Sequence, residues 1–307
     1  MNALLAHERT SRVTPFGVRF VDDQSGRVVA DSLTVTAWPS AEPSRAVPLF
    51  RNAGNAFCLF DAPGLREESF GEGDAAYFAS LARRIDFTFE VSDLAARFLP
   101  FRASVTLPSR GLYRLGCGSP PSPVALPAGS EADGVPLFSG PARPATANSV
   151  VLRAELWDAT LGKPAAWAML EAQTPGAALR GEPKVRALAD HRGCVALHFP
   201  LPDEQDFDGG SFDSPSGSSG APLGARTWTV NVSARYGRIA QAPDTVRRID
   251  PPIPDLCAAI SQPQASLWNQ LNALPLGTVS MRFGQETSLA SVDPGAAPPS
   301  VVLVTAP

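Results

Sequence analysis

The chain is poor in the side chains on which most enzyme chemistry rests. It has 3 histidines and 4 cysteines among 307 residues, and neither kind clusters. His7, His191 and His198 fall on an N-terminal arm, a turn and a strand, so neither a two-histidine metal helix nor a Ser-His-Asp order is indicated. His198 alternates with Leu197 and Phe199 and is expected on the opposite face of its strand, not at a ligand. Asp190 and His191 are neighbours on a turn and do not orient each other as base and partner. Gly-x-Gly-x-x-Gly and Gly-Lys-Ser/Thr motifs are absent, and Gly217-Ser-Ser-Gly220 has the wrong spacing for a nucleophile elbow. The chain is therefore read as a non-enzyme, with no catalytic residue, no cofactor and no metal assigned.

Lysine is scarce and the net charge is -4, so there is no basic face of the kind that DNA, RNA or an anionic membrane requires. Long hydrophobic runs are missing as well. The longest candidate, Val301-Val-Leu-Val304, is strand-sized and far short of the roughly twenty apolar residues of a membrane helix. Met1 to Arg12 has neither a basic start nor a long apolar core before a cleavage site, so a signal peptide is not expected. The expected location is the cytoplasm, or a particle assembled there. The cysteines are read in the same sense. Cys58 and Cys194 lie in apolar strands as buried reduced thiols, Cys117 sits in a Gly116-Cys-Gly118 loop, and Cys257 marks a helix start. No pair has the spacing of a zinc knuckle or redox motif.

What the chain has in abundance is proline, 31 residues, and glycine, 25 residues, a composition that suits many turns between short strands. Val151 to Asp158 runs into a Gly162 turn and then Ala165 to Glu171, and Asp190 to Gly193 leads into Cys194 to Phe199: three strands around two Asp-Gly turns. The same layout occurs earlier, where Asp23 with Gly26 matches Asp158 with Gly162, and Gly54 matches Gly193. Asp86 to Ser92 and Arg226 to Ser233 both alternate strictly and end in Val-Ser, at a similar offset. The matches suggest a duplication.

The expected fold is all-β: two tandem β-sandwich domains, with a long Pro/Gly-rich connection and one or two short helices. The divisions are an arm over 1–12, domain 1 over 13–110, a linker over 111–147, and domain 2 with a C-terminal extension over 148–307. The helices are expected at Asp74 to Arg84, where Asp74 can cap, and at Gln264 to Leu274. Trp38 and Trp167 should be buried on inner faces. The acidic loop with Asp203, Glu204, Asp206, Asp208 and Asp213 reads as solvated surface ahead of a calcium site. Leu112, Tyr113, Leu137 and Phe138 are the apolar anchors of the linker. They are the candidate partner-binding residues, toward other protein subunits or a second copy of the chain, unless they pack back on their own domain.

Asp158-x-x-x-Gly162-Lys-Pro-Ala-Ala-Trp167 and Ala187-Leu-Ala-Asp190-His-Arg-Gly193 with Phe199-Pro200 resemble the carboxypeptidase regulatory-like or transthyretin-like sandwich modules. More loosely, Val91-Ser-Asp93, Arg97-Phe-Leu-Pro-Phe101, Pro108-Ser-Arg-Gly111 and Met281-Arg-Phe-Gly-Gln-Glu286 look like pieces of accessory structural proteins of phage-tail-like contractile injection systems. The second resemblance implies a scaffold or adaptor role and carries no catalytic residue across. A cytosolic module that binds carbohydrate or calcium, or accompanies an enzyme, is the alternative.

Overall fold

A computed structural model describes residues 14–65, 84–126, 133–145, 149–175, 184–200, 227–239, 252–268, 275–289 and 301–307. The N-terminal arm, the expected helix after Asp74 and the acidic loop at 203–213 lie outside the described residues, Arg84 excepted.

Short alternating strands form the first half. They are β1 (Phe16–Val18), β2 (Phe20–Asp22), β3 (Val28–Val29), β4 (Leu33–Pro39), β5 (Val47–Pro48), β6 (Phe50–Arg51), β7 (Phe57–Leu59), β8 (Ile85–Asp93), β9 (Phe101–Leu107), β10 (Leu112–Tyr113), β11 (Gly116–Cys117), β12 (Ser122–Pro123) and β13 (Val135–Leu137). One sheet runs β5-β4-β8-β9; facing it are β10-β1-β7-β6 and β13-β2-β3. On β8, Phe87, Phe89 and Val91 turn inward and the residues between them do not, as a period of two demands. The rings of the two layers meet between the sheets, with Phe16 5.4 Å from Phe89 and Phe20 6.3 Å from Phe101. Such contacts contribute beyond buried area alone.

The second half comprises β14 (Ser149–Asp158), β15 (Lys163–Pro164), β16 (Met169–Gln173), β17 (Val185–Leu188), β18 (Cys194–Pro200), β19 (Thr227–Arg235), a short helix α1 (Leu256–Ile260), β20 (Gln264–Trp268), β21 (Thr278–Arg282), β22 (Thr287–Leu289) and β23 (Val301–Thr305). Its two layers are joined by β20, which pairs with β19 through Gln264 and Ala265 and with β23 through Ser266 to Trp268. The fold is all-β.

Several pairings are alike in the two halves, while those of β20 with β19 and β23 have no counterpart among the described residues of the first. β14 stands where β1 and β2 stand: each is followed by an antiparallel hairpin partner, β3 or β15, and each has a later antiparallel neighbour, β7 or β18. Each is then flanked in parallel by two strands, β10 and β13 or β22 and β23. Phe16 lies opposite Leu59 as Leu152 lies opposite Leu197. The equivalent residues differ from those matched in the sequence. The partner of Asp158 is Asp22, not Asp23: Gly26 donates its N–H to the Asp22 carbonyl at 3.0 Å, and Gly162 to that of Asp158 at 2.9 Å. Both glycines have positive φ, 67° and 59°. The partner of Gly193 is Asn55, not Gly54, since these two carry positive φ in turns closed by Asn52 and Asp190.

Three expectations need correction. The 111–147 stretch is no free connection, because β10 and β13 complete the first half's sheets and Leu115 is buried in its core. Gln264 to Trp268 is strand, not helix; Ala265 and Leu267 are inward and their neighbours outward, a period-two pattern, while 269–274 lie outside the described residues. Trp38 and Trp167 are both buried, but neither sits on its own half's inner face. The Arg102 guanidinium lies 5.5 Å from the Trp38 ring, and Trp167 enters the core of the first half with Met169 and Leu188.

The halves are thus tied together. Leu256 and Ala259 of α1 also join the first core. An ion pair reinforces the junction, Asp23–Arg186 at 2.6 Å, and next to it Asp22 pairs with Arg143, ahead of β14, at 2.7 Å. Cys117 and Cys257 form a disulfide, a pairing that the sequence reading of a loop cysteine and a helix-start cysteine does not include. Their separation of 140 residues leaves no local spacing signal to read. Cys58 and Cys194 are free and half-buried.

Candidate functional site

The four candidate anchors part company in the structure. Leu137 and Phe138 are 0% and 1% exposed: their apolar surface is already spent on their own core, so they offer none to a partner. Leu112 and Tyr113 are half-buried and line a groove of about 700 Å³ with Val105, Thr106, Arg110 and Arg114.

Two sheet edges make the groove. β9 ends one sheet and β10 ends the facing one, with the residues Pro108 to Gly111 turning between them. In an antiparallel pair, alternate residues bond to the neighbour and the others point away. Arg102 points away, since its N–H reaches the Pro254 carbonyl at 2.9 Å. The same period places the N–H and C=O of Ser104 and Thr106 on the outer edge. The Ser104 carbonyl accepts the Tyr113 hydroxyl at 2.9 Å. Burial, with the Asp255 carboxylate adding to it, pushes the Tyr113 phenol up to about 12, so it remains a donor. Ser104 and Thr106 are exposed beside it.

The rim is charged. Arg114 is paired with Asp133 at 2.5 Å; Arg110 is exposed and has no ion pair among the described residues. The Thr106 N–H and C=O and the Ser104 N–H, which have no backbone partner among the described residues, an apolar floor at Leu112 and a guanidinium at one end can accept a short extended segment carrying an acidic side chain. Arg110, Thr106 and Ser104 are absent from the sequence-derived candidates. The alternation of Ala103 to Leu107 marks a strand, but nothing in it marks that strand as an edge.

Asp190 Oδ1 accepts the N–H groups of Arg192 and Cys194 at 2.8 and 2.9 Å, closing its turn, and His191 beside it is exposed. His198 is 2% exposed and faces away from the second core. Burial, then the charges of Arg143 and Arg153, hold its imidazole down at about 4, and neither ring nitrogen has a partner among the described residues. Among those residues, no three His, Cys, Asp or Glu side chains come together as metal ligands, and no helix is long and apolar enough to cross a membrane. No protein-family model, curated protein or solved structure matches this chain.

Proposed function

We propose that the chain is a non-catalytic structural or adaptor protein, held in a multi-subunit assembly by an extended partner segment that lies along the outer edge of β9. The groove between β9 and β10 carries this reading. Strand addition supplies affinity through backbone hydrogen bonds and specificity through alternate side chains; here Leu112 offers an apolar seat and Arg110 a charge for a carboxylate. The ties between the halves, including the Cys117–Cys257 bridge, suit a part whose work is to hold a shape. The matching pairings of the halves support descent from one duplicated sandwich. The resemblance of Arg97 to Phe101 and Met281 to Glu286 to contractile-particle accessory proteins supplies the class of assembly, a phage-tail-like particle. Disulfides persist in oxidising surroundings, so the particle is one made in the cytoplasm that works outside it.

The test is Thr106→Pro, which removes an outward N–H and leaves the β8 pairing intact. A photo-crosslinker at position 110 in the native host identifies the partner, and the purified pair is then reassembled. Wild type should assemble at fixed stoichiometry and the variant should not, with matching thermal melts. Equal assembly by the variant would overturn the proposal.

A further inference from the structure

A second concavity, in the other half, carries a different chemistry. It opens beside the turn between β14 and β15, with a volume of about 390 Å³. Leu161, Pro164 and Ala166 give it an apolar wall, and Lys163, His191 and Arg238 bring nitrogen groups to it. No carboxylate is among the described residues that line it.

The cations differ in what they are free to do. The chain has two lysines, Lys163 and Lys184. Lys184 is taken by Glu171 at 2.8 Å; Lys163 is exposed and has no ion pair among the described residues. Arg238 is held in place: its Nε and Nη2 donate to the Asp158 carboxylate at 2.7 and 3.1 Å, which leaves Nη1 outside the pair. Its backbone sits at φ 51°, unusual for a residue with a side chain. Asp158 is fully buried behind the lining, and the Thr160 and Leu161 N–H groups also bond to it at 2.9 and 3.0 Å. Asp158 thus balances the charge of Arg238 and is also engaged by the turn, which leaves Lys163 as the lining cation with no ion pair among the described residues, beside an apolar wall.

We propose that this recess binds a small organic anion, its carboxylate or phosphate held by Lys163 and Arg238 and its apolar part against Leu161 and Pro164. Charge-assisted bonds to an anion are the strong ones, and an apolar wall beside a few placed polar groups is the usual form of a small-molecule site. This site is independent of the β9–β10 groove.

The probes are benzoate, phenyl phosphate, inorganic phosphate and benzylamine, each titrated into the full chain while the amide resonances of Gly162 and Lys163 are followed. Benzoate or phenyl phosphate should give saturable shifts, and the two distinguish carboxylate from phosphate ligands. Benzylamine should give none. Lys163→Gln should weaken the bound anion by at least about fivefold, a loss consistent with one charge-assisted contact, without moving the melting temperature. Absence of saturation with both organic anions, an equal response to benzylamine, or unchanged affinity in Lys163→Gln would overturn the site. Inorganic phosphate binding as tightly as phenyl phosphate would overturn the organic ligand.

Discussion

Asp22 is gripped by Arg143 from 121 residues further along the chain, with Nη1 on Oδ1 at 2.9 Å and Nη2 on Oδ2 at 2.7 Å. Burial pushes this carboxyl up, but the bonds from Arg143 and Ser25 outweigh it and leave its pKa below the ordinary value. Removing Arg143 would strand a buried carboxylate, which typically costs about 3–5 kcal/mol. Arg143→Ala should therefore lower the urea midpoint far more than Arg45→Ala, whose Glu42 partner is exposed. Similar midpoints for the two variants would show that the Asp22 contact contributes little.

His198 sets an acid limit. Its pKa in the fold, about 4, lies below the ordinary 6.5, so the unfolded chain binds the proton first. The stability is fully present above pH 6.5 and falls as pH drops through the window toward 4, at a slope approaching about 1.4 kcal/mol per pH unit. Replacing His198 by Leu should flatten this part of the curve. Arg143, Arg153, Asp22 and Glu286 are the charges that act on it. A series of denaturant melts between pH 7 and pH 4 reads the difference directly.

Gly162 and Gly193 both have positive φ but differ in what surrounds them. A Cβ on Gly162 would meet nothing within 4 Å, whereas one on Gly193 would lie 2.3 Å from the Leu156 carbonyl oxygen. Gly162→Val should then cost only the backbone strain, about 1–3 kcal/mol. Gly193→Ala, despite the smaller side chain, should cost more, because backbone must shift. If both variants melt like wild type, the turn conformations are wrong.

Trp167 belongs by sequence to the second half and by contact to the first. Trp167→Ala should destabilise by about 3–5 kcal/mol, the usual range for emptying an aromatic site, and should shift both halves together in a thermal scan. Trp167→Phe should cost much less, since the indole N–H has no partner among the described residues. A variant that shifts only the second half would argue against the shared core.

Alternation along β8 and β19 is plain in the sequence, and so are the Asp-Gly turns around Gly26 and Gly162, because both follow from local backbone requirements. The closing strands of the first half are not plain. β10 and β13 are two and three residues long, too short to show a period, and their Pro- and Gly-rich surroundings read as linker. The burial of Leu137 and Phe138, and the pairing of Cys117 with Cys257, are decided by residues far away in the chain. Leu112 and Tyr113 could be singled out as apolar residues in a polar stretch. That they stand beside an open edge depends on sheet order, which no window of sequence contains.

The Cys117–Cys257 bridge also governs how far the molecule can be drawn out. Its covalent loop encloses a separation of 140 residues, and a fully extended chain spans about 3.3–3.6 Å per residue. Pulled by its two ends, the oxidised chain keeps that loop out of the contour, and β14 to β19 inside it bear no tension through their own backbone. Cutting the bridge with a reductant would release roughly 460–500 Å of additional length, turning a short tether into a long one without changing a single residue.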